Sequence, residues 1–284
     1  MWSFDLDAVP VRDATAFARR VEELGFGSLW LAEGVGSREA FVHSALLLGA
    51  TERLAIGTGI ASVWARDAVS ARSAARALAD AYPRRFVLGL GISHAGAVAR
   101  RGHEYAARPL SAMRDYLDAM DAAAKELKSP LLDEEPPRVI AALRPKMLAL
   151  AGTHADGAHT YFVPVLHTER ARAALGPDAL LITEQAVILD TDPETARAAA
   201  RSYCEHYLAR DNYRNNLVSL GYRDGELGGG GGDRVVDDLV AWGTVTDMVA
   251  RVEAHLAAGA DHVVVQVVAG DVDATLSAIA AVTR

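Results

Sequence analysis

The stretch "LAIGTGIASVWARD", Leu54 to Asp67, decides how this chain is read. Leu54, Ala55 and Ile56 open it as a buried strand. Gly57, Gly59, Ala61 and Ser62 then follow in quick succession. Glycine weakens a strand and gives no side chain to pack. A buried strand that loses its bulk toward its C-terminal end implies that something large and flat lies against the backbone there.

Outward from this stretch, strand-like and helix-like runs alternate. Strands are expected at 2–7, 28–33, 54–62, 86–91, 138–143, 157–163, 180–189 and 262–268. Between them lie amphipathic runs at 12–26, 37–53, 67–82, 108–128, 144–156, 168–175 and 193–210, with further helices at 244–259 and 272–284. Ser37 and Asp67 are candidate N-caps, and Pro109 suits a first helical turn. Eight strands alternating with helices over 284 residues predict an α/β chain, a (β/α)8 TIM barrel in one domain over 1–284. A doubly wound sheet is the rival, because both use parallel βαβ units. The segment 211–245, with five consecutive glycines in "LGGGGGD" (227–233), reads as an insertion between strands seven and eight, and the glycines as a flexible loop.

Composition narrows the function classes. Apolar residues make up 51% of the chain, enough for a full core, and the net charge is −8. That balance argues against nucleic acid as a partner. A single cysteine, Cys204, allows no internal disulfide and no cysteine-based zinc site. No run approaches 18 apolar residues, and "MWSFDLDAV" lacks the pattern of a signal peptide, so a cytoplasmic protein with no membrane contact is expected.

In a barrel the chemistry sits where strands end. The residues at those ends are Asp5 and Asp7; Glu33 and Gly34; Gly59 to Ser62; Gly91, Ser93 and His94; Ala141 to Arg144; Tyr161; Glu184 and Gln185; and Gln266. No His-x-His pair closes the first strand, so a metal-dependent hydrolase has little support and no metal is expected. Glu33 and Glu184 are the candidate carboxylate pair. Small residues at several strand ends leave a wide mouth, which suits a flat organic cofactor that carries the reactivity itself.

Four segments carry a resemblance: "GFGSLWLAEG" (25–34), "LAIGTGIAS" (54–62), "YPRRFVLGLGISHAG" (82–96) with "RPLSAMRDYLDAM" (108–120), and "RVIAALRPKMLALAGTHADGAHTYFVPVLHT" (138–168). In order and spacing the chain resembles the luciferase-like oxidoreductases. It is most similar to the subgroup that uses the deazaflavin coenzyme F420, which "NYRNNLVSLGY" (212–222) and "DRVVDDLVAWG" (233–243) also resemble. The resemblance implies hydride transfer between F420 and a small organic substrate, commonly in a homodimer. It implies a bulge in the third strand with a cis peptide at Gly59–Ile60, where Gly59, Ile60 and Ala61 meet the ring. Glu33 would lie at the ring's polar edge. Gly91 and Ser93 would contact the ring, with His94 or Glu33 handling the proton. Ala141, Ala142, Leu143 and Arg144 would meet the phosphate-bearing tail, and Tyr161 would wall that side. The stretch 103–109 and the glycine loop are candidate lids. The alternatives are an FMN-dependent monooxygenase of the same fold and a barrel that binds a flavin or deazaflavin without turnover.

Overall fold

The computed structural model describes residues 1–3, 5–125, 127 and 135–283. Phe4 of the expected first strand and the last turn of the helix expected through 128 fall partly outside these residues. By their internal packing the residues form two compact units. The first holds Met1, Ser3–Ala142 and Ala149–His159; the second holds Trp2, Leu143–Leu148 and Thr160–Arg284.

The first unit is built from β1 (Trp2–Ser3), α1 (Val11–Glu23), β2 (Ser28–Leu31), α2 (Ala40–Ala50), β3 (Ala55–Thr58), β4 (Ala61–Ser62), α3 (Ala68–Ala81), β5 (Phe86–Gly91), α4 (Ala95–Arg100), α5 (Pro109–Ala123), β6 (Arg138–Ala141), α6 (Pro145–His154) and β7 (Gly157–Thr160). Its strands pair in the order β1-β2-β3-β5-β6-β7, and β4 also pairs with β5. From β2 to β7 these pairings are parallel. Strands of such a sheet are covered on both faces and read as continuous apolar runs. "SLWL" of β2 fits that description, with all four residues buried.

The expected first strand, 2–7, is only two residues long, because Asp5–Asp7 turn into a 3-10 helix. Asp7 accepts the Arg38 backbone N–H at 3.1 Å and lies 3.5 Å from His43 Nδ1. Helix α2 starts at Ala40 instead of near Ser37, because the Glu39 side chain accepts the Val42 N–H. Asp67 does cap α3, accepting from Ser70, and Pro109 opens α5.

The expected third strand, 54–62, divides into β3 and β4. Gly57 pairs with Val87 and Ala61 with Leu90, so three residues of one strand face two of the other. That mismatch is a β-bulge. The glycines around it make room for the protein's own groups. A Cβ at Gly57 would lie 2.5 Å from the Trp30 indole. One at Gly89 would overlap the Thr58 carbonyl, and one at Gly91 would overlap the Ile60 side chain. Trp30 in turn stacks on His159, with centroids 5.1 Å apart. The bulk missing from strand three and its neighbour is therefore supplied by Trp30, by the bulge backbone and by Ile60.

The second unit contains α7 (Val165–Leu175), β8 (Leu180–Ile188), α8 (Pro193–Leu208), α9 (Asp211–Leu220), α10 (Asp233–Leu239), β9 (Val240–Trp242), α11 (Val245–Ala257), β10 (His262–Ala269) and α12 (Val272–Thr283). Strand β8 pairs in parallel with both β10 and β9. The segment expected as an insertion thus carries two helices and a strand. Its glycine run is an ordered turn. Gly229, Gly230 and Gly231 all have positive φ, and the Gly231 carbonyl accepts from Arg201 at 3.2 Å. A Cβ at Gly230 would press on the Arg201 backbone, so that position needs glycine on two counts.

A buried polar chain fixes α11 on β8. Gln185 Nε2 donates to the carbonyls of Ala186 and Leu239. Its Oε1 is left to accept from His255 Nε2 at 2.8 Å, so His255 Nδ1 accepts from the Thr168 hydroxyl at 2.7 Å. His255 is neutral in this arrangement. Burial first, then the nearby Arg251 and His167, push its pKa down to about 3.

Two expectations follow for stability. Gly89→Ala should destabilise by about 1–3 kcal/mol or more, as overpacking does, whereas Gly96→Ala, which meets open space, should be neutral or slightly stabilising. Urea unfolding compares them, and equal effects would contradict the packing described. The depressed His255 pKa makes the unfolded chain bind a proton before the native state does. Its contribution is complete above about pH 6.5 and is lost as pH falls toward 3, with a slope of up to ~1.4 kcal/mol per pH unit. Unfolding free energies at several pH values should show a shallower acid loss in His255→Gln than in the wild type.

Candidate active site

The bulge is held from one side by Glu33, which follows β2. The Glu33 backbone N–H donates to the Ile60 carbonyl at 3.1 Å, and its side chain accepts the Ser62 N–H at 2.7 Å. One residue therefore brackets the bulge at both ends. From the other side the Thr58 hydroxyl donates to the Gly89 carbonyl at 2.7 Å and accepts the Gly89 N–H at 2.8 Å. It replaces the ladder bonds that the bulge breaks. Within the bulge the Gly59–Ile60 peptide is cis. Gly59 and Ile60 are partly exposed, while Ile56, Gly57 and Thr58 before them and Ala61 and Ser62 after them are buried.

The Glu33 carboxylate is committed to Arg66. The guanidinium gives one nitrogen to each carboxylate oxygen, at 3.0 Å for the Oε2 contact. The side chains are 3% and 11% exposed respectively. The same Arg66 also reaches Glu39 and lies over the Phe41 ring. Burial works against the Arg66 charge, but the bond to Glu33 and the charges of Glu33 and Glu39 outweigh it, and its pKa rises above the ordinary value. A bidentate arginine–carboxylate pair of this kind is a positioning device.

Strand β5 ends on the same unit. The Gly91 carbonyl accepts the Val63 N–H at 3.1 Å, so Gly91 supports the chain leaving the bulge. Ser93 has φ 60°, a left-handed conformation that is uncommon outside glycine and recurs at functional sites. His94 is the N-cap residue of α4 by backbone geometry and is partly exposed. Trp64 donates to the Ile92 carbonyl at 2.8 Å and faces His103 at 5.8 Å. The structure thus places Glu33, Gly59, Ile60, Ala61, Gly91, Ser93 and His94 within one unit, at the C-terminal ends of neighbouring strands. Ala141 ends β6 there, and Ala142 after it donates its N–H to the His159 carbonyl.

The other expected residues belong to the second unit. The Arg144 side chain is exposed, and its carbonyl accepts from Met147 and Leu148 in the first turn of α6. The Leu143 carbonyl bonds His167 Nε2 at 2.7 Å. Tyr161 gives its hydroxyl proton to Gln266 at 2.8 Å and contacts the Tyr207 hydroxyl at 2.7 Å, with its ring 5.0 Å from Trp2. Glu184 is buried beside these tyrosines, and its Oε2 accepts the Phe162 N–H at 3.1 Å. Sequence reasoning passed over Arg66, Thr58 and the tyrosines of α8. Tyr203 and Tyr207 stand four apart in "SYCEHYL", one face of a helix, which is the signal that would have found them.

Against known proteins, the sequence matches the family described as luciferase-like monooxygenase over residues 3–262. The chain belongs to the luciferase-like monooxygenase family. It is an α/β enzyme of the family's (β/α)8 TIM-barrel fold, as its strand and helix alternation predicts. A curated relative, the 5,10-methylenetetrahydromethanopterin reductase of Methanolobus tindarius, is 25% identical over 162 residues, which cover 52% of this chain and 49% of that one. The match thus spans about half the length of that relative. Among solved structures, an F420-dependent secondary alcohol dehydrogenase in complex with an F420-acetone adduct superposes with a TM-score of 0.75 at 18% identity, covering 99% of this chain and 97% of that one. The oxygenating constituent of 3,6-diketocamphane monooxygenase from Pseudomonas putida, in complex with FMN, gives 0.69 at 15% identity over 98% and 93%. Among the described residues no helix is long and apolar enough to cross a membrane.

The Glu33–Arg66 pair generates a test. Removing one partner of a buried ion pair strands the other charge and costs about 3–5 kcal/mol. Arg66→Met should therefore destabilise strongly, and the double variant Glu33→Gln/Arg66→Met should recover part of the loss in urea unfolding. Strict additivity would mean that the two side chains do not act as a unit.

Proposed function

We propose that this enzyme is an F420-dependent oxidoreductase that transfers a hydride between the deazaflavin and a small organic substrate. The reading takes residues 1–284 as one barrel domain. The observation that carries it is the bulge, where a largely buried strand turns to offer Gly59 and Ile60, partly exposed and apolar, between polar groups already held in place. That arrangement fits a flat ring with one polar edge. Solved structures of the same fold that are described as F420-dependent support the choice of cofactor.

When bound, F420 supplies a carbon-centred hydride donor or acceptor. The chain's own residues do the rest. Ile60 offers an apolar support for one face of a ring, and Glu33 and Thr58 keep that support in register. Glu33, bound by Arg66 and the Ser62 N–H, acts by positioning and not as the proton carrier. His94, partly exposed at the head of α4, is the imidazole of the expected set and can exchange a proton with substrate. Arg144, exposed at the start of α6, and the backbone of 141–144 are offered to the anionic tail. Fixing the cofactor and a substrate together converts an encounter into an oriented reaction.

The FMN reading stands second, favoured by the FMN-bound neighbour. Parallel fluorescence titrations of the purified protein with oxidised F420 and with FMN distinguish the two. Saturable binding of F420, with FMN binding far weaker, is expected. Preference for FMN would move the protein to the oxygen-using branch. F420 binding without oxidation of the reduced coenzyme by any of a panel of small carbonyl and imine compounds would leave a binding protein only.

A further inference from the structure

The fold accounts for three of the four tryptophans. Trp2 and Trp30 are 1% exposed, and Trp242 lies under the Arg197 guanidinium with its Nε1 on Asp237. Trp64 differs. It is partly exposed and stands four residues after Ile60, on the chain that leaves the bulge. That chain is pinned on both sides of it. Ser62 gives its N–H to Glu33, and its Oγ accepts the Trp64 N–H at 3.3 Å. Arg66 is bound to Glu33 by its side chain, and its carbonyl accepts from the Tyr116 hydroxyl at 3.1 Å. The indole itself is tied to the end of β5, where Nε1 donates to the Ile92 carbonyl at 2.8 Å. Ile60 packs on the residue before that one, since a Cβ at Gly91 would overlap its side chain. The apolar seat at Ile60 and the Trp64 indole therefore rest on consecutive residues of one strand exit. All of these groups belong to the first unit.

An indole held in this way has little left to offer but its surface. Its N–H is spent on a carbonyl, and tryptophan carries no other polar side-chain atom. It presents a π face and a carbon edge. His103, on the connection between α4 and α5, covers it incompletely. The two ring centroids are 5.8 Å apart and the planes are inclined at 39°, so the rings diverge instead of stacking. Arg101 donates to the Gly34 carbonyl at 2.9 Å and draws that connection to the loop after β2. On these two segments Val35 and Tyr105 are 37% and 36% exposed. Apolar side chains gathered and left in solvent mark a binding surface. A face already fixed in place costs little ordering when a ligand lands on it. A puckered ring or branched chain would meet that face at a few atoms, whereas a planar ring lies along it and gains a ring–ring contact.

We propose that Trp64 is a specificity-determining residue that receives a flat, unsaturated ring of the substrate beside the seat at Ile60. The proposal rests on the oxidoreductase reading and narrows its substrate to compounds that carry an aromatic or conjugated ring. Glu33 then serves both surfaces, since it holds the bulge that presents Ile60 and the segment that presents Trp64.

Fluorine NMR on the protein labelled with 5-fluorotryptophan tests this. Four resonances are expected, and Trp64→Phe removes the one that belongs to Trp64. If that variant does not fold, Trp242→Phe and a paramagnetic agent in the solvent assign the resonance instead, because Trp2 and Trp30 are buried. The protein is titrated with benzyl alcohol and with cyclohexylmethanol, which differ in the flatness of one ring. The Trp64 resonance should move saturably, with roughly three- to tenfold tighter binding of the aromatic alcohol, as one ring–ring contact gives. Equal affinities, or a Trp64 resonance that neither alcohol moves, would overturn the proposal. A preference for benzyl alcohol in a protein that fails to bind F420 would support the aromatic wall and sink the cofactor reading. F420 binding with no preference at Trp64 would do the reverse.

Discussion

The structure of the first unit depends on one carboxylate with all of its bonds spoken for. Glu33 sits at the end of β2 and reaches across to the strand beside it, taking the Ser62 N–H and both arms of Arg66. Without that side chain the β3–β4 bulge would have an unmatched amide on its exit and an unpaired arginine beside it. With it, a one-residue slip in register becomes a fixed feature. Thr58 completes the arrangement by filling the gap in the ladder to β5 with its own hydroxyl. A bulge held this firmly can aim Ile60 at a ligand, because bulges re-aim side chains at little cost to the rest of the sheet.

Two carboxylates, Glu33 just after β2 and Glu184 midway along β8, have opposite surroundings. Glu33 faces a guanidinium and serves geometry. Glu184 faces phenol rings and one backbone amide, so burial raises its pKa and it keeps its proton. Environments that divide two like groups in this way commonly divide their roles as well. The same second unit holds His255 in a neutral tautomer fixed by Gln185 and Thr168. Glu184 Oε1, by contrast, has no hydrogen-bond partner, as is also true of His167 Nδ1 and Asn216 Nδ2 in that unit.

The alternation of strands and helices was legible in the sequence because parallel strands buried on both faces leave continuous apolar runs, such as "SLWL" and "FVLGLG". So was the irregularity at 57–62, from its glycines. The reason for those glycines was not legible, since Trp30, Thr58 and Ile60 come to them from three different points in the chain. The glycine run at 228–232 likewise read as flexible from composition, whereas positive φ at three of its residues and the Arg201 bond make it a turn. Arg66 lay inside the deciding stretch unnoticed, because an arginine's partner is set by folding and not by its neighbours in sequence. Glu184 was expected at a strand end but lies midway along β8, and its surroundings come from aromatic residues 19 to 29 positions further along the chain.

The central claim is that Glu33 builds the seat at Ile60 and leaves proton handling to other groups. A crystal structure of the protein with bound F420 tests it most directly. The account predicts the deazaflavin ring against Ile60, with Glu33 still bonded to Arg66 and to the Ser62 N–H. A ring bound away from the bulge, or a Glu33 carboxylate released from Arg66 and turned onto the substrate, would contradict it.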